Sequence, residues 1–225
     1  MTQRNNKSVQ KLALTAIFIA IVAVLQLFAS SITIGTVSFS LVLIPIVLCG
    51  ILTGTWGGFA TGLTFGVITM IGGITGGDFF TATLMQSGTK GFIITTLICL
   101  VKATTAGTLS ALVYKGVKKF NETLLESVYI YIPPFVVLKT KKFNSDFGAV
   151  LAAAATAPIV NTGLFILGAL TLSDVLSKTF AKGTSVIYFL VIGCAGVNFI
   201  IEFLVNIIFA PAIYSLVKSV GKGKI

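Results

Sequence analysis

From Lys11 to Leu27 the chain reads KLALTAIFIAIVAVLQL, with no charged residue after the lysine. Continued to about residue 29, such a run is long enough to cross bilayer hydrocarbon as a helix. In lipid a helix is one of only two ways for a backbone to satisfy its own hydrogen bonds. Wound as a helix, the run places Ala13, Ala16, Ala20 and Ala23 on one stripe, and Ile17, Phe18, Ile19, Ile21 and Val22 cover the rest. Small side chains along a seam let a second helix approach closely, which is a main source of helix–helix affinity inside a bilayer. The seam serves either this chain's own helices or a docking face for a separate membrane subunit, and the stripe alone leaves both open.

The remaining composition agrees with that first run. Hydrophobic residues make up 56% and charged residues 10% of 225 residues, and mean hydropathy is +1.04. This describes an integral membrane protein with room for about six crossings of roughly 20 residues each. No polar stretch is long enough for a separate soluble domain. The first residues are polar and basic (Arg4, Lys7, Lys11) and lead straight into a full-length apolar span, with no small-residue cleavage site, so no cleavable signal is expected. Cys49, Cys99 and Cys194 each lie in apolar segments far apart, which suits buried free thiols better than disulfides or a metal site. The chain has no histidine, and so lacks the commonest metal ligand and general base.

A net charge of +10 would suit nucleic acid if it were spread over one face. Instead, twelve of the sixteen Lys and Arg fall at the N-terminus, in residues 115–142, and at Lys218, Lys222 and Lys224. That distribution is a positive-inside topology signal and puts both termini in the cytoplasm; no nucleic acid partner is expected.

The pattern predicts six spans in one membrane domain covering 1–225, at about 11–29, 39–54, 56–72, 92–114, 147–172 and 186–217. Ser30–Ser38 is expected to be a tight outer loop. The second span carries Pro45, which membrane helices tolerate. Glycine recurs every fourth residue at Gly54, Gly58, Gly62 and Gly66, a smooth groove for close helix contact. Ile71–Gly91 is expected to be the longest outer loop, with Gly72, Gly73, Gly76 and Gly77 giving it freedom. Phe79, Phe80 and Met85 in it suggest a lid over a cavity rather than a bare connector. Leu172–Ser185 is the second sizeable outer loop. Between basic clusters in the inner segment 115–146 lies Val128–Leu138, eleven residues broken by Pro133 and Pro134. It is too short to cross, so it is placed at the inner interface, with Tyr129, Tyr131 and Phe135 suited to that belt.

Polar groups at membrane depth are costly and mark function by default. Lys102 sits in the middle of the fourth span and either faces a cavity or pairs with Glu202. In the fifth span Pro158 frees a carbonyl beside Asn161 and Thr162. The sixth carries Asn198, Glu202 and Asn206, four apart and so on one face. No GxxxxGK[ST] is present, so the chain cannot hydrolyse ATP by the P-loop route; HExxH, GxSxG and CxxC are missing too. Nor is there an inverted repeat with matched broken helices, the usual mark of a self-sufficient transporter. An intramembrane enzyme acting on lipid would have only Glu202 with Lys102 as its reacting pair.

With its size, six spans, Ala16-Ile-Phe-Ile-Ala20, the stretch LIPIVLCGILTGTWGGFATGLTFG from Leu43 to Gly66, Lys102 followed by Gly107, and a last helix with Asn198 and Glu202, the chain resembles the substrate-binding (S) components of energy-coupling factor (ECF) vitamin transporters. It departs from them in having lysine where arginine is expected at 102, and in the segment 120–142, which looks like an insertion. The resemblance implies an all-α membrane fold that binds a vitamin from outside, in the cell membrane of a bacterium. It implies partnership with a membrane coupling subunit and two ATPase subunits, with ATP used by those partners and no cofactor in this chain. It also implies that Ala13, Ala16, Ala20 and Ala23 form the docking seam for that coupling subunit.

The APIVNTGLF stretch and the Asn198/Glu202 helix look most like the pantothenate-type members. A small anion with an amide and hydroxyls wants one cation and amide side chains, which Lys102 or Lys90 with Asn161, Asn198 and Asn206 can supply. Thr162, Phe79 and Phe80 complete the candidate substrate site. Glu202 then either accepts from hydroxyls or neutralises Lys102, because a bare carboxylate beside an anion is unfavourable. Folate and riboflavin remain open; the one tryptophan, Trp56, lies at the inner end of the third span, poorly placed for stacking in an outward pocket.

Overall fold

The computed structural model describes residues 2–29, 33–34, 37–38, 41–131 and 145–222. In chain order it consists of α1 (Thr2–Ala29), a two-stranded ladder of β1 (Thr33–Ile34) and β2 (Val37–Ser38), α2 (Leu43–Thr53) and α3 (Thr55–Thr75). There follow α4 (Phe79–Gln86), α5 (Thr89–Tyr131), α6 (Ser145–Leu170), α7 (Ser173–Thr179), α8 (Val186–Tyr188), a π-helical stretch Phe189–Cys194, and α9 (Ala195–Lys222). Five of these segments are long and apolar enough to cross a membrane: Lys7–Phe28, Thr55–Thr75, Thr89–Thr123, Asp146–Leu170 and Val186–Val220. At eleven residues α2 is shorter, about 16 Å at 1.5 Å per residue. Among the described residues the fold is helical apart from the antiparallel ladder, in which Thr33 opposes Ser38 and Ile34 opposes Val37.

Helix α2 begins at Leu43 rather than near residue 39, and Pro45 falls in its first turn, where a backbone N–H has no helical partner to lose. Gly54 separates α2 from α3 with φ 95°, a left-handed backbone that a residue with a Cβ adopts only at a cost. Beyond it the four-residue glycine repeat does what its spacing suggests. A Cβ on Gly58 would land on the carbonyl oxygen of Gly107, and one on Gly62 on that of Ala103. At Gly66 the Cβ would be 2.7 Å from the carbonyl oxygen of Cys99. Three successive turns of α3 thus lie directly on the backbone of α5, running antiparallel to it.

The main core joins Phe18 and Val22 of α1, Leu43, Ile46 and Val47 of α2, and Phe65 of α3 to the small faces of α6 and α9. Ala149, Ala153, Ala154 and Ala157 are fully covered, so the alanine run of α6 is a packing face. A second cluster, with Phe80, Leu84, Leu172, Leu176 and Leu190, closes the end of the bundle where α4 and α7 lie.

Three stretches expected as loops or edges are helical instead. Residues 71–91 contain the end of α3, all of α4 and the start of α5. Gly76 ends α3 in the left-handed region at φ 80°. Asp78 then opens α4 by accepting a hydrogen bond from the Thr81 amide at 3.1 Å. Residues 172–185 hold α7. The fourth span does not stop at 114: α5 runs 43 residues to Tyr131 and carries Lys115, Lys118 and Lys119 beyond the apolar stretch. Lys118 is paired with Asp146 at 3.1 Å and Lys115 donates to Thr55 Oγ1 at 2.8 Å. A helix continues where its polar residues are hydrated as readily as its apolar ones are buried, so the membrane edge does not end it. Of Val128–Leu138, residues 128–131 are the last of α5; Pro133, Pro134, Phe135, Lys139, Lys141 and Lys142 lie outside the described residues, as do 30–32 and 35–36 of the first loop.

Contact between α3 and α5 through bare backbone makes a prediction. Gly62→Ala should destabilise the protein by about 1–3 kcal/mol through overpacking, seen as a lower melting temperature in detergent. Gly72→Ala, on the same helix with open space around its Cβ, should be neutral or raise it slightly.

Candidate functional site

Three helices bring polar side chains together inside this apolar bundle. Lys102 of α5, Asn161, Thr162 and Phe165 of α6, and Ala195 and Asn198 of α9 line a half-open cavity of about 40 Å³, counted as space for the centre of a water molecule. The kink-prone start of the α6 contribution is Pro158, fully buried, whose ring removes an N–H and frees the carbonyl one turn back. Asn161 follows on the next turn, with only 6% of its surface exposed.

Behind the cavity wall the α9 residues form a stack. Asn198 Nδ2 donates to Glu202 Oε1 at 3.2 Å, and Asn206 Nδ2 donates to the Glu202 main-chain oxygen at 2.8 Å. Glu202 and Asn206 are 3% and 2% exposed. The π-helical stretch Phe189–Cys194 ends just before Ala195; widening one turn re-phases the residues after it, and π-bulges of this kind are frequent at functional sites.

Lys102 does not pair with Glu202. Among the described residues no carboxylate lies within ion-pair distance of its ammonium, although its charge reaches Glu202 electrostatically. The ammonium instead sits 5.2 Å from the ring centroid of Phe165 and 6.0 Å from that of Phe65, where the ring faces attract a cation. Phe165 in turn touches Phe80, with ring centroids 5.8 Å apart. Phe80 packs on Phe180 and Phe189 at 5.0 and 6.4 Å, joining α4, the residue after α7 and the π-helical stretch.

Of the residues singled out from sequence, Lys102, Asn161, Thr162 and Asn198 thus share one cavity, with Glu202 and Asn206 stacked behind Asn198. Phe80 is buried behind Phe165 rather than in the cavity. Phe79 is 69% exposed and touches only the rim of the aromatic cluster, 6.1 Å from Phe180. Lys90 is exposed at the start of α5, twelve residues and so about 18 Å along the axis from Lys102. Sequence reasoning missed Phe165 and Ala195. The available signal was their spacing, four residues after Asn161 and three before Asn198, on the same helical faces.

On α1 the residues turned into the bundle are Phe18, Val22 and Gln26, the last donating to Thr69 Oγ1 at 3.3 Å. Ala13, Ala16 and Ala20 are exposed and Ala23 is half-buried, on the far side of the helix from that stripe.

No family model matches the chain, and no curated protein matches it. Among solved structures the chain is similar to ThiT from Listeria monocytogenes, with a TM-score of 0.53 at 16% identity; the match covers 92% of this chain and 98% of that one. At that identity the likeness is one of fold, along nearly the whole length of both chains.

Proposed function

We propose that this protein is the substrate-binding subunit of an ECF-type importer in a bacterial cell membrane. On this reading it captures a vitamin from outside and releases it inward through a membrane coupling subunit and two ATPase subunits. The observation that carries the reading is a cleft lined by Lys102, Asn161, Thr162 and Asn198, in a chain whose sequence resembles the S components and whose fold is similar to that of ThiT. It is a binding chamber, not a reaction centre: Lys102 and Glu202, the one acid–base pair at this depth, are held apart, with the lysine on an aromatic face.

In this proposal α2 makes the sixth crossing, and both termini are cytoplasmic. The basic residues Lys115, Lys118 and Lys119 at the far end of α5 support that orientation. Lys90 and Phe79 stand at the outer rim, and Phe80 buttresses Phe165 from behind. Pantothenate is the substrate that the single cation and the two cavity asparagines, Asn161 and Asn198, fit best. The alanines of α1 are the docking seam: three of the four are uncovered, and a helix needs no small-residue stripe to face lipid.

Two outcomes test the assignment. Ala16→Trp combined with Ala20→Trp should abolish uptake by cells while the purified protein still binds its vitamin; loss of both would put the seam inside the fold. Asn161→Ala or Asn198→Ala should weaken binding by about 1–3 kcal/mol for a hydrogen bond in a desolvated pocket, read by titration calorimetry. Substrate movement into liposomes by the purified protein alone would instead identify a self-sufficient facilitator.

A further inference from the structure

Trp56 and the lysines beyond the apolar part of α5 take no part in the chamber, yet the fold brings them to one corner. Lys115 reaches the first residue of α3, donating to Thr55 Oγ1 at 2.8 Å, and Trp56 is the next residue. At the same place Gly54 turns the chain at φ 95°, and a Cβ on it would stand 3.6 Å from the lysine Nζ. The ammonium keeps two further N–H donors. Lys119 follows four residues later, on the same helical face and about 6 Å along the axis. Both lysines are exposed. The nearby carboxylates serve a different lysine: Asp146 pairs with Lys118 at 3.1 Å, and Glu122 acts on Lys118 as well. Among the described residues, neither Lys115 nor Lys119 has a carboxylate within ion-pair distance. Like charges one turn apart weaken a helix, so an anion from outside the chain stabilises this face. The surface beside the lysines is apolar. Trp56 is 82% exposed, with its ring edge-on to Phe59 at 5.7 Å. Phe59 and Leu63 continue its exposed stripe along α3, and Leu112 and Leu109 are exposed on α5 in the turns before Lys115.

We infer that this corner binds the headgroup of an anionic phospholipid, with the phosphate between Lys115 and Lys119 and the acyl chains along the exposed apolar residues of α3 and α5. Such a lipid has its parts in the same order as the surface: negative charge at the membrane edge, the headgroup level where an indole sits well, then hydrocarbon. A soluble anion would use the lysines and leave the apolar stripes without a role. A lipid with no net charge would use the stripes and leave two cations unmatched. The corner lies at the basic end of α5, which is cytoplasmic in the orientation proposed above. It is independent of which ligand the chamber takes.

Trp56 is the one tryptophan of the chain, so tryptophan fluorescence reports on this corner alone. The test places the purified full-length protein in phosphatidylcholine vesicles holding a minor share of phosphatidylglycerol, with bromine, a contact quencher, on the chains of one lipid or of the other. Brominated phosphatidylglycerol should quench well beyond its share of the bilayer. That preference should fall about fivefold for each of Lys115→Gln and Lys119→Gln, the contribution of one basic side chain near an anionic surface. Lys178→Gln, on α7 at the other end of the bundle, should leave it unchanged. The comparison of the two lipids on the unmutated protein stands even if a variant fails to fold. Quenching in proportion to each lipid's share would mean that Trp56 meets an ordinary lipid belt, and no quenching by either would mean that protein covers it; both results overturn the inference. So does a preference that survives the double substitution, or relief of quenching by millimolar inorganic phosphate, which would identify a site for a free anion. Vitamin binding by the same preparation tests the chamber separately, whichever way the lipid result falls.

Discussion

Where α3 meets α5 there are no side chains to adjust the distance: backbone lies on backbone at Gly58, Gly62 and Gly66 against Gly107, Ala103 and Cys99. Inside a bilayer this closeness supplies the dispersion contacts and polar main-chain proximity that hydrophobic burial cannot supply between helices already in hydrocarbon. It also positions the chemistry. Lys102 immediately precedes Ala103, so the seam that seats Ala103 on Gly62 sets where the lysine leaves α5, and Phe65 beside Gly66 gives its ammonium one of its two aromatic faces.

The other walls of the polar chamber carry backbone irregularities. Helix α6 holds Pro158 within its length and the α8–α9 run holds a π-helical stretch. Each irregularity lies next to residues that line the cavity, Asn161 after the proline and Ala195 after the π turns. Irregular backbone at membrane depth is tolerated where it faces protein or a cavity, and Pro158 is fully buried in the bundle. The aromatic cluster of Phe80, Phe165, Phe180 and Phe189 ties these elements to α4.

Much of this was legible in the chain. The glycine repeat predicted a close helix contact and the triplet Asn198, Glu202 and Asn206 one polar face, each from a periodicity of one helical turn, while the mid-span charge of Lys102 predicted either a cavity lining or a pairing with Glu202. The alanine stripe of α1 was legible as a seam, but its direction was not. Residues 71–91 were read as a loop because glycines and threonines dominate there; the cap at Asp78 and packing of Phe80 and Leu84 override that composition. Lys90 and Phe79 were assigned by chemistry alone, and their exposure follows from helix phase and length, which composition does not encode.

Local sequence therefore determined which segments are apolar helices, where their small faces run and which polar residues share a face, because those properties depend on order along one strand of chain. Tertiary packing alone decided that α5 and α6 bring Lys102 to Phe165 rather than to Glu202, that Glu202 and Asn206 lie behind Asn198 rather than in the cavity, and that three of the four α1 alanines stay uncovered. These are relations between helices distant in sequence, set by how closely backbones can approach and by which side of each helix the core claims first.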